Sequence, residues 1–207
     1  MTHATRPIDA ATGFRVEIQL RPAVELTDAE FFELCRMNRD VRLERTPEGA
    51  IVIMPPAGGA TGRRNLVLGA ALYAWSRADG TGTAFDSSTG FVLPDGATRS
   101  PDAAWVRRER LAAIPPAAFE RFLPLCPDFV AELASPSDRL ADLEAKLEAY
   151  ITNGARLGWL IDPVTQAVLV FRPGRRVERL ERVATIAGDP ELPGFVLDLT
   201  ELWRTGP

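Results

Sequence analysis

Residues 127–150 read PDFVAELASPSDRLADLEAKLEAY, and the apolar pattern changes period halfway along. Residues 128–134, DFVAELA, form a nearly continuous apolar run of strand length. Ser135-Pro136-Ser137 ends that strand, and Ser137 or Asp138 can cap a helix running to about Asn153, with Gly154 as its C-terminal stop. Leu140, Leu143, Leu147, Tyr150 and Ile151 give this helix one apolar stripe. A further strand at 157–161 completes a strand, helix, strand unit. Set among helices and strands in mixed order, that unit predicts a mixed sheet with helices on both faces.

Working outward, residues 157–161 and 167–171 form a strand pair around Asp162-Pro163. A basic hairpin follows, carrying Arg172, Arg175, Arg176, Arg179 and Arg182. Its alternation with Glu178 and Glu181 suits a salt-bridged exposed hairpin better than a nucleic-acid groove. Upstream, residues 83–93 and 99–106 are extended and divided by the Pro94-Asp95-Gly96 turn, and a short helix lies at about 116–122. Leu66, Leu68, Ala70, Leu72, Tyr73 and Trp75 predict a largely buried helix over 63–78. Strands at 41–44 and 50–54 flank a Thr46-Pro47-Glu48-Gly49 turn, and Pro55-Pro56 stops the second. Thr27 and Glu30 make a capping box for a helix reaching Met37, with Phe31, Leu34 and Cys35 on one face. Residues 1–24 read as an N-terminal arm and 25–203 as a single domain.

A chain of 207 residues can bury roughly 70% of its unfolded surface in one core. No apolar run approaches the roughly 20 residues of a membrane helix, and residues 1–12 hold no signal core, so we expect a cytoplasmic protein with no membrane contact. Cys35, Cys126 and His3 supply neither a structural zinc set nor a histidine-based triad, and all four tryptophans sit in apolar contexts that suit a core. The net charge of −4 argues against a generic basic nucleic-acid coat, but not against an enzyme that handles phosphates through a bound cation. Of 24 basic residues only Lys146 is a lysine. Coding bias accounts for the arginines; the remaining question is what only an amine can do at that position.

Glu132 sits inside the apolar strand, where an unpaired carboxylate would cost several kcal/mol. It needs an arginine, another cation or a metal, unless it faces solvent from a half-exposed strand. Asp102, in Ser100-Pro101-Asp102 at the start of another strand, is the candidate to share a metal with it, or else a turn-forming Asp. Lys146 lies on the next helix and reaches back toward these acids, or pairs with Asp142 four residues earlier. Two carboxylates holding Mg²⁺ plus one lysine are a minimal kit for phosphodiester hydrolysis. The ion activates water and neutralises charge, and the amine orients or deprotonates the water or stabilises the phosphorane.

The segments RSPDAAWV (99–106), PDFVAELASPSDRLADLEAKLEAY (127–150) and GWLIDP (158–163) resemble the Uma family of restriction endonucleases, within the PD-(D/E)XK nuclease superfamily. TGRRNLVLGAALYAW and FDSSTGFVLPDGATRSPD match as well, and the resemblance spans about residues 25–200. It implies an α/β fold bordering on α+β: a restriction-endonuclease-like core, with a mixed sheet flanked by helices and an N-terminal helix and hairpin extension. It further implies a Mg²⁺-dependent endonuclease acting on DNA, with Mn²⁺ as a substitute ion. Asp102 matches the motif's first acid and Glu132 its second, and the resemblance implies the Leu133 carbonyl as a further metal ligand. The superfamily's usual lysine position holds Ala134; the family places its lysine on the following helix, where Lys146 matches. Related sequences often carry an acid or histidine near position 60, where this chain has Ala60, so Glu44 in the early hairpin is a substitute auxiliary acid or a solvated hairpin residue. Arg63 and Arg64 are candidates to grip a substrate phosphate near a helix N-terminus, or pair with nearby acids. A homodimer is expected because cutting a duplex needs two sites. Two other readings remain: a non-catalytic nuclease-fold module binding DNA or a protein partner, and a dimerisation domain with incidental acids.

Overall fold

The computed structural model describes residues 16–54, 56–136 and 138–204. His3, most of the proposed N-terminal arm, Pro55 and Ser137 as a helix cap lie outside the described residues. In chain order the elements are β1 (Val16–Ile18), α1 (Asp28–Met37), β2 (Arg42–Arg45), β3 (Ile51–Met54), α2 (Gly59–Asp79), β4 (Gly82–Asp86), β5 (Phe91–Val92), β6 (Thr98–Arg99), β7 (Ala103–Arg107) and α3 (Arg108–Ala112). A 3₁₀ turn (Pro116–Ala118) leads to β8 (Phe129–Leu133), α4 (Leu140–Thr152), β9 (Leu157–Asp162), β10 (Ala167–Phe171), β11 (Glu178–Glu181), β12 (Thr185–Ala187), β13 (Val196–Asp198) and α5 (Thr200–Trp203).

The larger sheet has six strands in the order β11-β10-β9-β8-β7-β4. Only β8 and β9 run parallel, because α4 carries the chain back across the sheet between them. Strand alternation sorts the side chains into two cores. Phe129, Ala131 and Leu133 of β8 join Trp105, Trp159 and Ile161 against Leu68 and Leu72 of α2. Val130 of the same strand joins Ala104, Val106 and Leu160 against Leu147 and Tyr150 of α4. Helices therefore cover both faces, as expected. In the first core Trp159 stacks on Phe195 at 5.6 Å and meets Phe129 edge-on at 4.9 Å. Alternation also fixes the side of Glu132: it points to the α4 face, in register with Leu160. At Gly158 an added Cβ would lie 2.7 Å from Leu147 Cδ1, so α4 approaches the sheet closely at this point.

A second, antiparallel sheet has the order β1-β3-β2-β6-β5. The expected single strands at 83–93 and 99–106 each divide between the two sheets. After β4, the Asp86 carboxylate accepts bonds from the Ser88 N–H (3.0 Å) and hydroxyl (2.7 Å), turning the chain out of the larger sheet. Between β6 and β7, Ser100-Pro101-Asp102 carries it back, Pro101 having no N–H to continue a ladder. Asp102 therefore stands at the junction of the two sheets.

The helix boundaries also differ from expectation. α4 begins at Leu140 with Arg139 as an N-cap that makes no side-chain bond; Asp138 instead accepts from the Ser135 N–H at 2.8 Å. Its far end is pinned by Asn153, which exchanges bonds of 2.9 and 2.8 Å with the Asp95 turn, and Gly154 takes the positive φ of 110° that favours glycine. α2 starts at Gly59 and is buried along a single stripe, Arg64, Leu68, Leu72 and Ser76. Leu66 is 72% exposed and Tyr73 58%, because only one face of the helix meets the sheet. The Thr27–Glu30 capping box is present, and the basic hairpin is β10–β11 with an exposed Arg179–Glu181 pair. Among the described residues no helix is long and apolar enough to cross a membrane.

Two glycines test this packing in opposite directions. An added Cβ at Gly82 would lie 2.4 Å from the Trp105 ring and from the Val106 carbonyl, so Gly82→Ala is expected to destabilise the fold by about 2–3 kcal/mol in urea melts. Gly69, mid-helix in α2, has nothing within 4 Å, and Gly69→Ala is expected to stabilise by up to about 1 kcal/mol.

Candidate active site

The two sheets and α4 converge on a small set of charged side chains. β8 presents Glu132, which is 3% exposed. Lys146 and Tyr150 share one face of α4, one turn apart, and both reach Glu132 Oε1: the ammonium at 2.8 Å and the phenol hydroxyl, donating, at 3.3 Å. From the other sheet, β2 supplies Glu44, whose Oε1 lies 2.9 Å from Lys146 Nζ and accepts the Ser100 N–H at 2.9 Å. Arg99 stands 3.7 Å from Glu44 Oε2. Asp102 is fixed by the Leu133 N–H, which donates to Oδ2 at 2.8 Å, and by Asn65 of α2, which donates to Oδ1 at 3.3 Å. Arg42 lies 3.6 Å from Asp102 Oδ1 and donates to the Ser100 carbonyl.

Burial, pulled against by Lys146 and helped by Asp102 and Glu44, leaves Glu132 raised to about 7. Glu44 is equally buried but sits below its ordinary value, because Lys146, Arg99, Arg42 and the Ser100 N–H outweigh the desolvation. The same ammonium thus holds one acid that protonates near neutrality and one that stays anionic. Burial works against the charge on Lys146, yet Glu132 and Glu44 together raise its pKa, so it remains an ammonium. Burial and the same two acids push the Tyr150 phenol well above its usual range.

The residues expected from the sequence separate into two groups. Asp102, Glu132, Leu133 and Lys146 come together, and Glu44 joins them as a partner of Lys146 instead of a solvated hairpin residue. The amine turns toward these acids from the buried side of α4. Arg63 and Arg64 do not reach the site. Arg63 donates to the Glu201 carbonyl at 2.9 Å and lies 3.8 Å from that residue's carboxylate. Arg64 donates to the carbonyls of Leu202 (2.7 Å) and Arg204 (2.9 Å). Both hold the C-terminal helix α5 against α2, satisfying carbonyls that a helix end leaves open. Ala60 lies exposed at the start of α2 and adds no donor atom.

Arg42, Arg99, Asn65 and Tyr150 were not singled out as site residues. Two signals were present: Arg42 shares a strand face with Glu44, and Tyr150 follows Lys146 by four residues. The donor set suits a hard divalent cation, with two carboxylates beside the backbone of Leu133. Asn65 Oδ1, on the side chain that holds Asp102, is buried without a hydrogen-bond partner among the described residues, so an acceptor here awaits a donor or a cation. Among the described residues, no three His, Cys, Asp or Glu side chains form a ready-made metal pocket, so water or substrate oxygens would have to complete the coordination.

Folding lifts the Glu132 carboxyl from 4.5 to about 7, so between those values the folded chain keeps a proton that the unfolded chain has released. The stabilising share of that proton is complete below pH 4.5 and is lost as pH rises through about 7. Glu132→Gln has no such proton to lose. Melted in EDTA, it is expected to gain stability relative to the wild type as pH is raised from about 5 to about 8, and parallel profiles would contradict the assignment.

Among solved structures, a crystal structure of a putative nuclease belonging to DUF820 from Anabaena variabilis ATCC 29413 aligns with a TM-score of 0.72 at 18% identity, over 86% of this chain and 98% of that one. At that identity the likeness concerns the fold alone. A cryo-EM structure of a DrdV–DNA complex aligns at 14% identity over 55% of this chain and 9% of that one, with a TM-score of 0.36, too low to indicate a shared fold. No protein of curated function matches. The family described as "Uma2: Putative restriction endonuclease" matches residues 28–200. That span is most of the chain and encloses Glu44, Asp102, Glu132 and Lys146, so the protein belongs to the Uma2 family.

Proposed function

We propose that this protein is a Mg²⁺-dependent endonuclease hydrolysing phosphodiester bonds of DNA, with Mn²⁺ serving as a substitute. The observation that carries the reading is the single lysine of the chain, held 2.8 Å from a buried strand carboxylate beside a second acid that a backbone amide has already oriented. The carboxylates of Asp102 and Glu132 and the carbonyl of Leu133 would hold the ion. Bound there, it would supply Lewis-acid activation of water and neutralise charge on the phosphate.

The chain's own groups do the rest. The Leu133 N–H and the Asn65 amide fix the rotamer of Asp102, and the Tyr150 hydroxyl does the same for Glu132. Lys146, kept charged by two acids, donates a proton-bearing edge to the attacking water or to the phosphate oxygen where charge accumulates. That favours orientation and charge stabilisation over proton abstraction. Glu44, anchored by Ser100 and facing Arg99, is the auxiliary acid in the sense of a positioning residue: it holds the ammonium and is no ligand. A second copy would supply the second cut in a duplex.

One observation favours the alternative, a non-catalytic module that binds DNA or a protein partner. Lys146, Arg42 and Arg99 balance Glu44, Asp102 and Glu132 one for one, so a cation must compete with internal pairs. Calorimetric titration with Mn²⁺ separates the two readings: the nuclease binds the ion, Asp102→Asn loses it, and a protein with no such heat is the module. In a plasmid assay with Mg²⁺, Lys146→Ala and Glu132→Ala are expected to cut at least about 100-fold more slowly than the wild type. Equal cutting by a folded Lys146→Ala protein would sink the assignment.

A further inference from the structure

Resting on the nuclease reading above, we infer that Arg42 is the residue that grips the backbone phosphate of the bound strand, the role the sequence had offered to Arg63 and Arg64. The charged side chains of the site differ sharply in access. Counting side-chain atoms alone, Glu44 and Glu132 are 4% exposed, Lys146 10%, Asp102 12% and Arg99 14%, whereas Arg42 is 31% exposed. A backbone phosphate arriving from solvent therefore meets Arg42 before the more deeply buried groups of the cluster.

The guanidinium has capacity to spare. One nitrogen donates to the Ser100 carbonyl, and the contact to Asp102, at 3.6 Å, is longer than a hydrogen bond. Its Nε is buried and has no acceptor among the described residues, so the outer N–H groups are the ones a phosphate can reach. With five N–H groups in a planar fork, an arginine so placed matches two oxygens of one phosphate, which an ammonium does not. Its backbone is set by β3, Arg42 being paired with Met54, and its side chain by the Ser100 carbonyl. Alternation puts Arg42 on the same face as Glu44, which holds Lys146 at 2.9 Å, so one strand sets both the gripping group and the ammonium. Arg179, exposed on the basic hairpin, stands elsewhere: it is on β11, the edge strand beyond β10 and β9, and is paired with Glu181 at 2.7 Å.

The test measures binding of a short labelled duplex, with Ca²⁺ in place of Mg²⁺ to prevent cutting, across roughly 50 to 200 mM salt. Arg42→Gln is expected to weaken binding about tenfold or more and to lower the slope of log affinity against log salt by about 1, the signature of one lost phosphate contact. Arg42→Lys is expected to keep the slope and recover only part of the affinity, because the charge remains and the fork does not. Mn²⁺ affinity measured without DNA is expected to be unchanged or tighter in Arg42→Gln, since a positive neighbour of Asp102 has gone. Unaltered duplex affinity and slope in Arg42→Gln would overturn the inference. So would loss of Mn²⁺ binding in both Arg42 variants, which would make the residue a structural counter-ion of Asp102. Wild-type protein that binds the ion but no duplex at any salt would sink the nuclease reading itself, and Arg42's role with it.

Discussion

One ammonium group ties this molecule together. Lys146 Nζ sits between Glu132, from the middle of the six-stranded sheet, and Glu44, from the second sheet, 102 residues apart in sequence from the lysine. Taking three such charges out of water costs several kcal/mol per ion, and the cost is offset only if every partner is in place. Removing one partner of a buried pair typically costs about 3–5 kcal/mol, since it leaves the other charge uncompensated. The two sheets and α4 are therefore held in the one arrangement that lets three separate segments meet at a single point.

The chain path explains how that arrangement arises. At Asp86–Ser88 and again at Ser100–Asp102 the backbone leaves one sheet for the other, by an Asx-type turn in the first case and a proline in the second. The second crossing ends at Asp102, whose carboxylate then reads the Leu133 N–H of the neighbouring strand. An acid of the candidate site thus stands where the two sheets hand over. Net charge misleads about such a site: the chain carries −4 overall, while the site gathers three basic and three acidic side chains.

Much of this was readable beforehand. The period change in residues 127–150 announced β8 and α4, and a carboxylate in an apolar strand announced a buried charge in need of a partner. The motif's order pointed to Asp102 and Lys146, which the fold brings beside Glu132. Local signals failed where two stretches looked equally good. Residues 83–93 and 99–106 read as continuous strands, because β-propensity does not say which sheet a residue joins. Residues 66–75 of α2 are apolar or glycine throughout, so their pattern could not tell that Leu66 and Tyr73 face outward. Arg63 and Arg64 looked like phosphate ligands because the carbonyls they satisfy lie about 140 residues away.

By itself the sequence determined the crossover unit, the strand that carries Glu132, the helix that carries Lys146 and the absence of any other lysine, since each depends on short-range periodicity or composition. Tertiary structure alone decided that Glu44 belongs to the site, that Lys146 bonds two acids, that Glu132 and Glu44 differ in proton affinity, and that Arg42 is the cation left facing solvent. These depend on which groups surround a charge after folding. Desolvation and Coulomb attraction act over a few ångströms of space, and distance along the chain carries no record of it.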